Sequence, residues 1–464
     1  MIGENVRKQI EERIQQLIEH NRDLQFTSPD DLPKDNESFI LGEYPEWLTL
    51  YWPLGDGQFD IAKNVVDAAA STTMALWFMS QAVKDLERVT KSDTQSMCDE
   101  LMLQLSDAKE VPKFFQGNTK DVIFQAPEGA MGWWPLIDGY RFPAVIGDWL
   151  VDHIIEPTDL RKALANNADG DFWSWCMAVN STTPDTLEYR VDINSTVFYE
   201  PLLGSRFMWD ELAPQAQTLV ELVYGDDISN QEDMKLPIGT YYTENATIDV
   251  KQNISGVVNV NILSAIPLLD GYQPFLEDIN NAMSFIRKAT LMAMDPENPL
   301  TWEDHSYDYF PIEFAPLAYT IRAQKRIFEI KQEFGREDYP DLMDEELKLA
   351  ALVYLRKKAR EYLDTPNVSN PNGKEAYTNL IFVFNAMVNL RYMDNTLLTD
   401  DEDWSLYMEV MQMLFIDMPE ADYVVGTGPY PLPLDAKLEI SSVAFVTPPL
   451  IESYALFLLV EGEN

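Results

Sequence analysis

Period-two patterning across residues 185–266, with helical patterning on both sides, constrains the fold of this chain more than any other feature. Leu187, Tyr189, Val191 and Ile193 fall on one side of an extended segment, and Glu188, Arg190 and Asp192 on the other. Such alternation marks a half-buried strand. From Gly239 the pattern returns through Ile248, Val250, Ile254, Val258, Val260 and Ile262, with a turn signal at residues 253–256. A helix over residues 209–223 and an acidic connector from Gly225 separate the two halves.

The remainder is mostly helical in period. Residues 4–25 carry Val6, Ile10, Ile14 and Leu17 on one narrow stripe, as for a helix laid along another helix. Residues 60–89 predict a long helix through Ile61, Val65, Leu76, Met79, Val83 and Leu86, and residues 93–107 a shorter one. Between 109 and 150, glycines and prolines punctuate Trp133, Trp134, Tyr140, Phe142 and Trp149, which predicts a packed aromatic loop system. Helices follow over 274–294, 315–334, 344–363, 374–392 and 401–415, with Asp344 as an N-cap. The final stretch predicts strands at 437–446 and 454–460, returning to the sheet.

The expected fold is therefore α+β: helix-dominated, with a central, mostly antiparallel sheet and a helical C-terminal region closed by terminal strands. Four regions divide it: a helix and extended arm (1–58), a helical region with aromatic loops (59–184), a β-rich region (185–270) and a helical region with terminal strands (271–464).

Charge narrows the function classes. The 77 Asp and Glu against 34 Lys and Arg leave a net charge of −43. A field of that sign repels phosphate backbones and anionic bilayers, so no nucleic-acid contact through a basic face and no membrane docking are expected. No run reaches the ~18 apolar residues that a membrane helix needs. The amphipathic N-terminus lacks the apolar stretch of a signal peptide, which predicts a soluble protein, intracellular or within a virus particle. Cys98 and Cys176 form no metal-binding or CxxC spacing, and suit small buried side chains.

Chemistry-bearing motifs are sparse. His20, His153 and His305 are the three histidines, and no HExxH, GxSxG, phosphate-loop or dinucleotide-binding pattern occurs. One cluster, Trp302, Glu303, Asp304, His305 and Asp308, combines carboxylates with aromatic platforms, as a glycosidase would. A solvated helix-to-helix loop explains the same residues. The stretch 322–360 is the one region that is not acidic, with ten Lys and Arg against eight Asp and Glu. Arg322, Lys325, Arg326, Arg356, Lys357, Lys358 and Arg360 would suit head-to-tail contact with an acidic face of another copy. Solvated i,i+4 pairs are the alternative.

The expectation is a non-enzymatic structural or assembly protein with no cofactor and no metal. It would self-associate, or join other subunits, in a large homo-oligomeric particle such as a viral capsid or tail. A carboxylate-based carbohydrate-active enzyme and an acidic DNA-mimic inhibitor are the alternatives.

Overall fold

The computed structural model of the chain describes residues 2–32, 40–55, 58–66, 69–112, 191–192, 241–242, 256–268, 272–294, 314–364, 371–415, 426–427, 437–442 and 446–462. In chain order, helix α1 (Glu4–Leu24) is followed by a hairpin, β1 (Glu46–Gly55) and β2 (Gln58–Val66), and then by α2 (Ala69–Leu86) and α3 (Gln95–Ala108). The two-residue strands β3 (Val191–Asp192) and β4 (Tyr241–Tyr242) pair antiparallel. Helices α4 (Gly256–Ala265), α5 (Leu276–Ala293), α6 (Ala315–Phe334), α7 (Glu345–Leu363), α8 (Pro371–Met393) and α9 (Asp401–Met413) come next. Strands β5 (Gly426–Thr427) and β6 (Lys437–Ser441) precede α10 (Thr447–Phe457), which runs into a π-helical turn, Leu458–Gly462.

The hub is α10, in which every residue is buried. Pro448 and Pro449 occupy its first turn, where a fixed φ and a missing N–H suit helix initiation. Helices α1, α2 and α8 pack around it, and α8 in turn carries α6, α7 and α9. Phe384 of α8 ties this centre together, with its ring centroid 5.1 Å from Tyr454, 5.8 Å from Phe457 and 6.2 Å from Tyr407. The core runs continuously from Ile2 to Val460. Residues of all four regions expected from the sequence contribute to it.

Local chemistry sets several helix ends. Asp344 accepts from Leu347 N–H at 2.9 Å and so caps α7, as its sequence position predicts; Asp400 does the same for α9 through Asp403 N–H at 2.9 Å. Gly335 ends α6 in the left-handed conformation, φ 64°.

The expected central sheet is not found, and the fold is corrected to a helix-dominated one: helices, not strands, occupy the centre of the described residues. The strands among these residues form a small antiparallel set, order β2-β1-β6-β5, whose members contact one another far more than they contact any helix. Residues 256–265, read as strand from Val258, Val260 and Ile262, are helix α4, buried on every side. Residues 454–460 are likewise helical and buried. A helix buried all round shows no apolar stripe, so β-branched residues and chance alternation imitate a strand. The opposite error occurs within residues 58–66, of which 60–66 were expected as the start of a long helix. They are strand β2, held by pairing with β1 from Glu46↔Val66 to Gly55↔Gln58. Most of 185–255, and the aromatic loop system between 113 and 150, lie outside the described residues.

Candidate functional site

Two features stand out: a charged network inside the bundle and an apolar groove on its surface. The network begins on one face of α6, where Arg322, Lys325 and Glu329 recur at helical spacing and meet α2, α8 and α10. Arg322 is 3% exposed; its Nε and Nη2 lie 3.3 Å from Oε1 of Glu452 in the middle of α10. Its guanidinium carbon sits 3.5 Å from the Trp77 ring centroid and 3.9 Å from that of Phe78. The stacking covers apolar faces while the edge serves the carboxylate. Asn385 of α8 donates to the other oxygen of Glu452 at 3.1 Å and to Ser453 Oγ at 2.9 Å.

One helical turn on, Lys325 Nζ lies between two carboxylates, 3.4 Å from Glu329 and 3.7 Å from Asp85 of α2. Arg88 reaches both of the same acids, at 3.7 Å from Asp85 and 4.0 Å from Glu329, and donates to Tyr392 Oη at 3.1 Å. The sharing is unequal, and the proton affinities follow. Burial pushes the Asp85 carboxyl up to about 6, against the pull of Lys325 and with the push of Glu329. Burial also opposes ionisation of Glu329, but Lys325 and Lys84 outweigh it and hold this carboxyl below its usual range. A separate pair fastens the end of the chain's last helical turn: Arg391 binds Glu461 at 2.8 and 3.1 Å. These groups neutralise one another inside the helices and fix which face each helix presents. They form a lock rather than a binding surface.

The groove lies between α5 and α7. Leu291 and Met294 form one wall; Leu349, Ala350, Val353, Tyr354 and Lys357 form the other, around a volume of 410 Å³. Leu349 and Val353, one turn apart on α7, are 64% and 65% exposed, the most exposed large apolar side chains among the described residues. Single exposed leucines are ordinary, but two in register beside an apolar groove make a continuous patch. The opposite face of α7 buries Leu347, Ala351, Leu355, Ala359 and Tyr362. Ion pairs to α9 from Arg356 and Arg360 hold it further: Arg356 Nε reaches Asp403 at 2.6 Å, and Arg360 pairs with Glu402.

The basic residues expected at a subunit interface are thus dispersed. Arg322 and Lys325 are interior and present no charge to a partner, which corrects that expectation for them. Arg326 is half-buried, 5.3 Å from the Trp77 ring centroid. Lys358 is buried and pairs with Glu361 at 3.0 Å. Arg356 and Arg360 are engaged with α9, whereas Lys357 is exposed at the rim of the groove. Trp302, Glu303, Asp304, His305 and Asp308 lie outside the described residues. Among the described residues no group of His, Cys, Asp or Glu is arranged to hold a metal ion, and no helix is long and apolar enough to cross a membrane. Cys98 is buried in α3, and burial raises its thiol pKa.

Sequence reasoning missed Asp85, Glu452, Leu349 and Val353. For Glu452 a signal existed, since a lone acid inside an otherwise apolar run announces a buried partner. For Leu349 and Val353 the signal was the unbroken run from Leu349 to Leu355, which is wider than one helix face can bury. Comparison with known proteins finds no match for this chain: no family model, no curated protein and no solved structure is similar to it.

Proposed function

We propose that this protein is a structural subunit that acts by docking onto other subunits of a homo-oligomeric assembly, of the kind from which a viral shell or tail is built. The observation that carries this reading is the apolar groove beside Leu349 and Val353, on a helix held from behind by buried side chains and from one side by ion pairs to α9. A patch of that kind costs solubility unless something covers it. Its rigidity lowers the ordering cost of association. The net charge of −43 supplies the counterweight, because it keeps unassembled copies apart until a specific contact overcomes repulsion.

Light scattering on the full chain across protein concentration, at low and high salt, tests the proposal. An assembly larger than the 53.2 kDa chain, strengthened by salt as like-charge repulsion is screened, is the expected result. A 53.2 kDa species at every concentration and salt would refute it.

A further inference from the structure

Building on the assembly reading above, we infer that the occupant of the exposed α7 face is α7 of a second copy, packed antiparallel about a two-fold axis at the level of Ala351. The face is complementary to itself. In an antiparallel pair centred on position 351, Leu349 lies opposite the partner's Val353, and Val353 opposite the partner's Leu349. The same symmetry sets Glu345 opposite the partner's Lys357. Residues 345, 346, 349 and 353 share one side of an ideal helix, with 357 at its edge. Glu345, Glu346, Leu349, Val353 and Lys357 are all exposed. An acid end, an apolar middle and a basic end, in that order, are what an isologous antiparallel contact requires.

Charge elsewhere favours the same face. Within Glu345–Leu363 there are five Lys and Arg against three Glu, so α7 is a positive helix on a strongly negative chain. Two copies meeting there avoid much of the repulsion that acidic faces would impose. Neither Glu346 nor Lys357 has an ion-pair partner among the described residues, so neither must give one up. Glu345 holds only a solvent-exposed pair with Lys348 at 2.8 Å. Ala350, at the edge of this face, adds little bulk beside the two leucine-valine pairs.

The test is sedimentation equilibrium of the full chain, wild type against variants whose helix content is checked by circular dichroism. Val353→Glu, at a 65% exposed position, leaves the fold intact and is expected to weaken self-association at least ~10-fold. Lys357→Glu alone, and Glu345→Lys alone, are each expected to weaken it. Glu345→Lys and Lys357→Glu together in one chain restore it, because the swapped ends again complement each other. A wild type that associates while every α7 variant associates equally well would overturn this contact and leave the assembly reading standing. A wild type that remains a monomer would overturn both.

Discussion

Replacing Asp85 by asparagine isolates the cost of an ionised carboxylate shut inside the bundle. Both of its oxygens lie out of hydrogen-bond reach of any donor among the described residues, and its cations stand 3.7 Å away, at Lys325 and Arg88. Because burial raises this carboxyl from 3.8 to about 6, the folded state binds its proton more tightly than the unfolded chain does. That contribution to stability is fully present below pH 3.8 and is lost as the pH rises through about 6. At neutral pH the ionised side chain therefore costs the fold about 3 kcal/mol relative to a neutral one, at ~1.36 kcal/mol per unit. Asparagine keeps the shape without the charge, and Lys325 retains Glu329 at 3.4 Å. The variant is expected to match wild type near pH 4 and to become the more stable of the two between pH 4 and 7, by up to about 3 kcal/mol. Urea unfolding followed by far-ultraviolet circular dichroism at half-unit pH steps measures the gap. A variant that is destabilised more at pH 7.5 than at pH 4.5 would show that the Lys325 and Arg88 attractions outweigh burial, and would refute the reasoning.

Glu329→Gln should behave in the opposite sense. The carboxyl is held below its usual 4.5, so its contribution is present above that pH and is lost as the pH falls through the folded value. The variant loses about 1–3 kcal/mol at pH 7 and converges on wild type in acid, in the same urea series. Glu452→Ala strands Arg322 between Trp77 and Phe78 with no carboxylate, and should lower stability by ~3–5 kcal/mol, read as a large drop in thermal midpoint. Gln104→Leu removes three buried hydrogen bonds, to the Ile18 carbonyl and from Asn21 Nδ2 and Tyr44 Oη, at 2.9, 2.9 and 3.2 Å, and leaves Asn21 and Tyr44 with each other and Met79; about 1–3 kcal/mol should be lost in urea unfolding. Two glycines separate backbone strain from crowding. A Cβ at Gly42, φ 95°, would stand 2.1 Å from the Asp107 carbonyl oxygen, whereas one at Gly335, φ 64°, meets nothing within 4 Å. Gly335→Ala should cost about 1 kcal/mol, and Gly42→Ala clearly more, by thermal melts of the two variants side by side.

What the amino-acid sequence determined by itself was the set of helices with one wet face. Residues 344–363 and 401–415 were legible because polar residues on the solvent side leave the apolar stripe visible, and because Asp344 caps where a cap is needed. The strongly acidic surface was legible too, since net charge does not depend on fold. The tertiary structure alone decided the centre. Residues 256–265 and 447–462 are helices because neighbours cover every side of them, and a segment with no wet face carries no period from which helix and strand are told apart. It also decided which charges are interior. Arg322 and Lys325 look no different in sequence from Arg356 and Lys357, yet the first two face α2 and α10 across the bundle while Lys357 faces outward. That difference depends on how α6 and α7 are turned about their axes, which the packing of α4 and α8 against α6, and of α8 and α9 against α7, specifies. The groove follows from the same cause: α7 carries more apolar residues than one face can bury, and the approach of α5 settles which of them, Leu349 and Val353, stay uncovered.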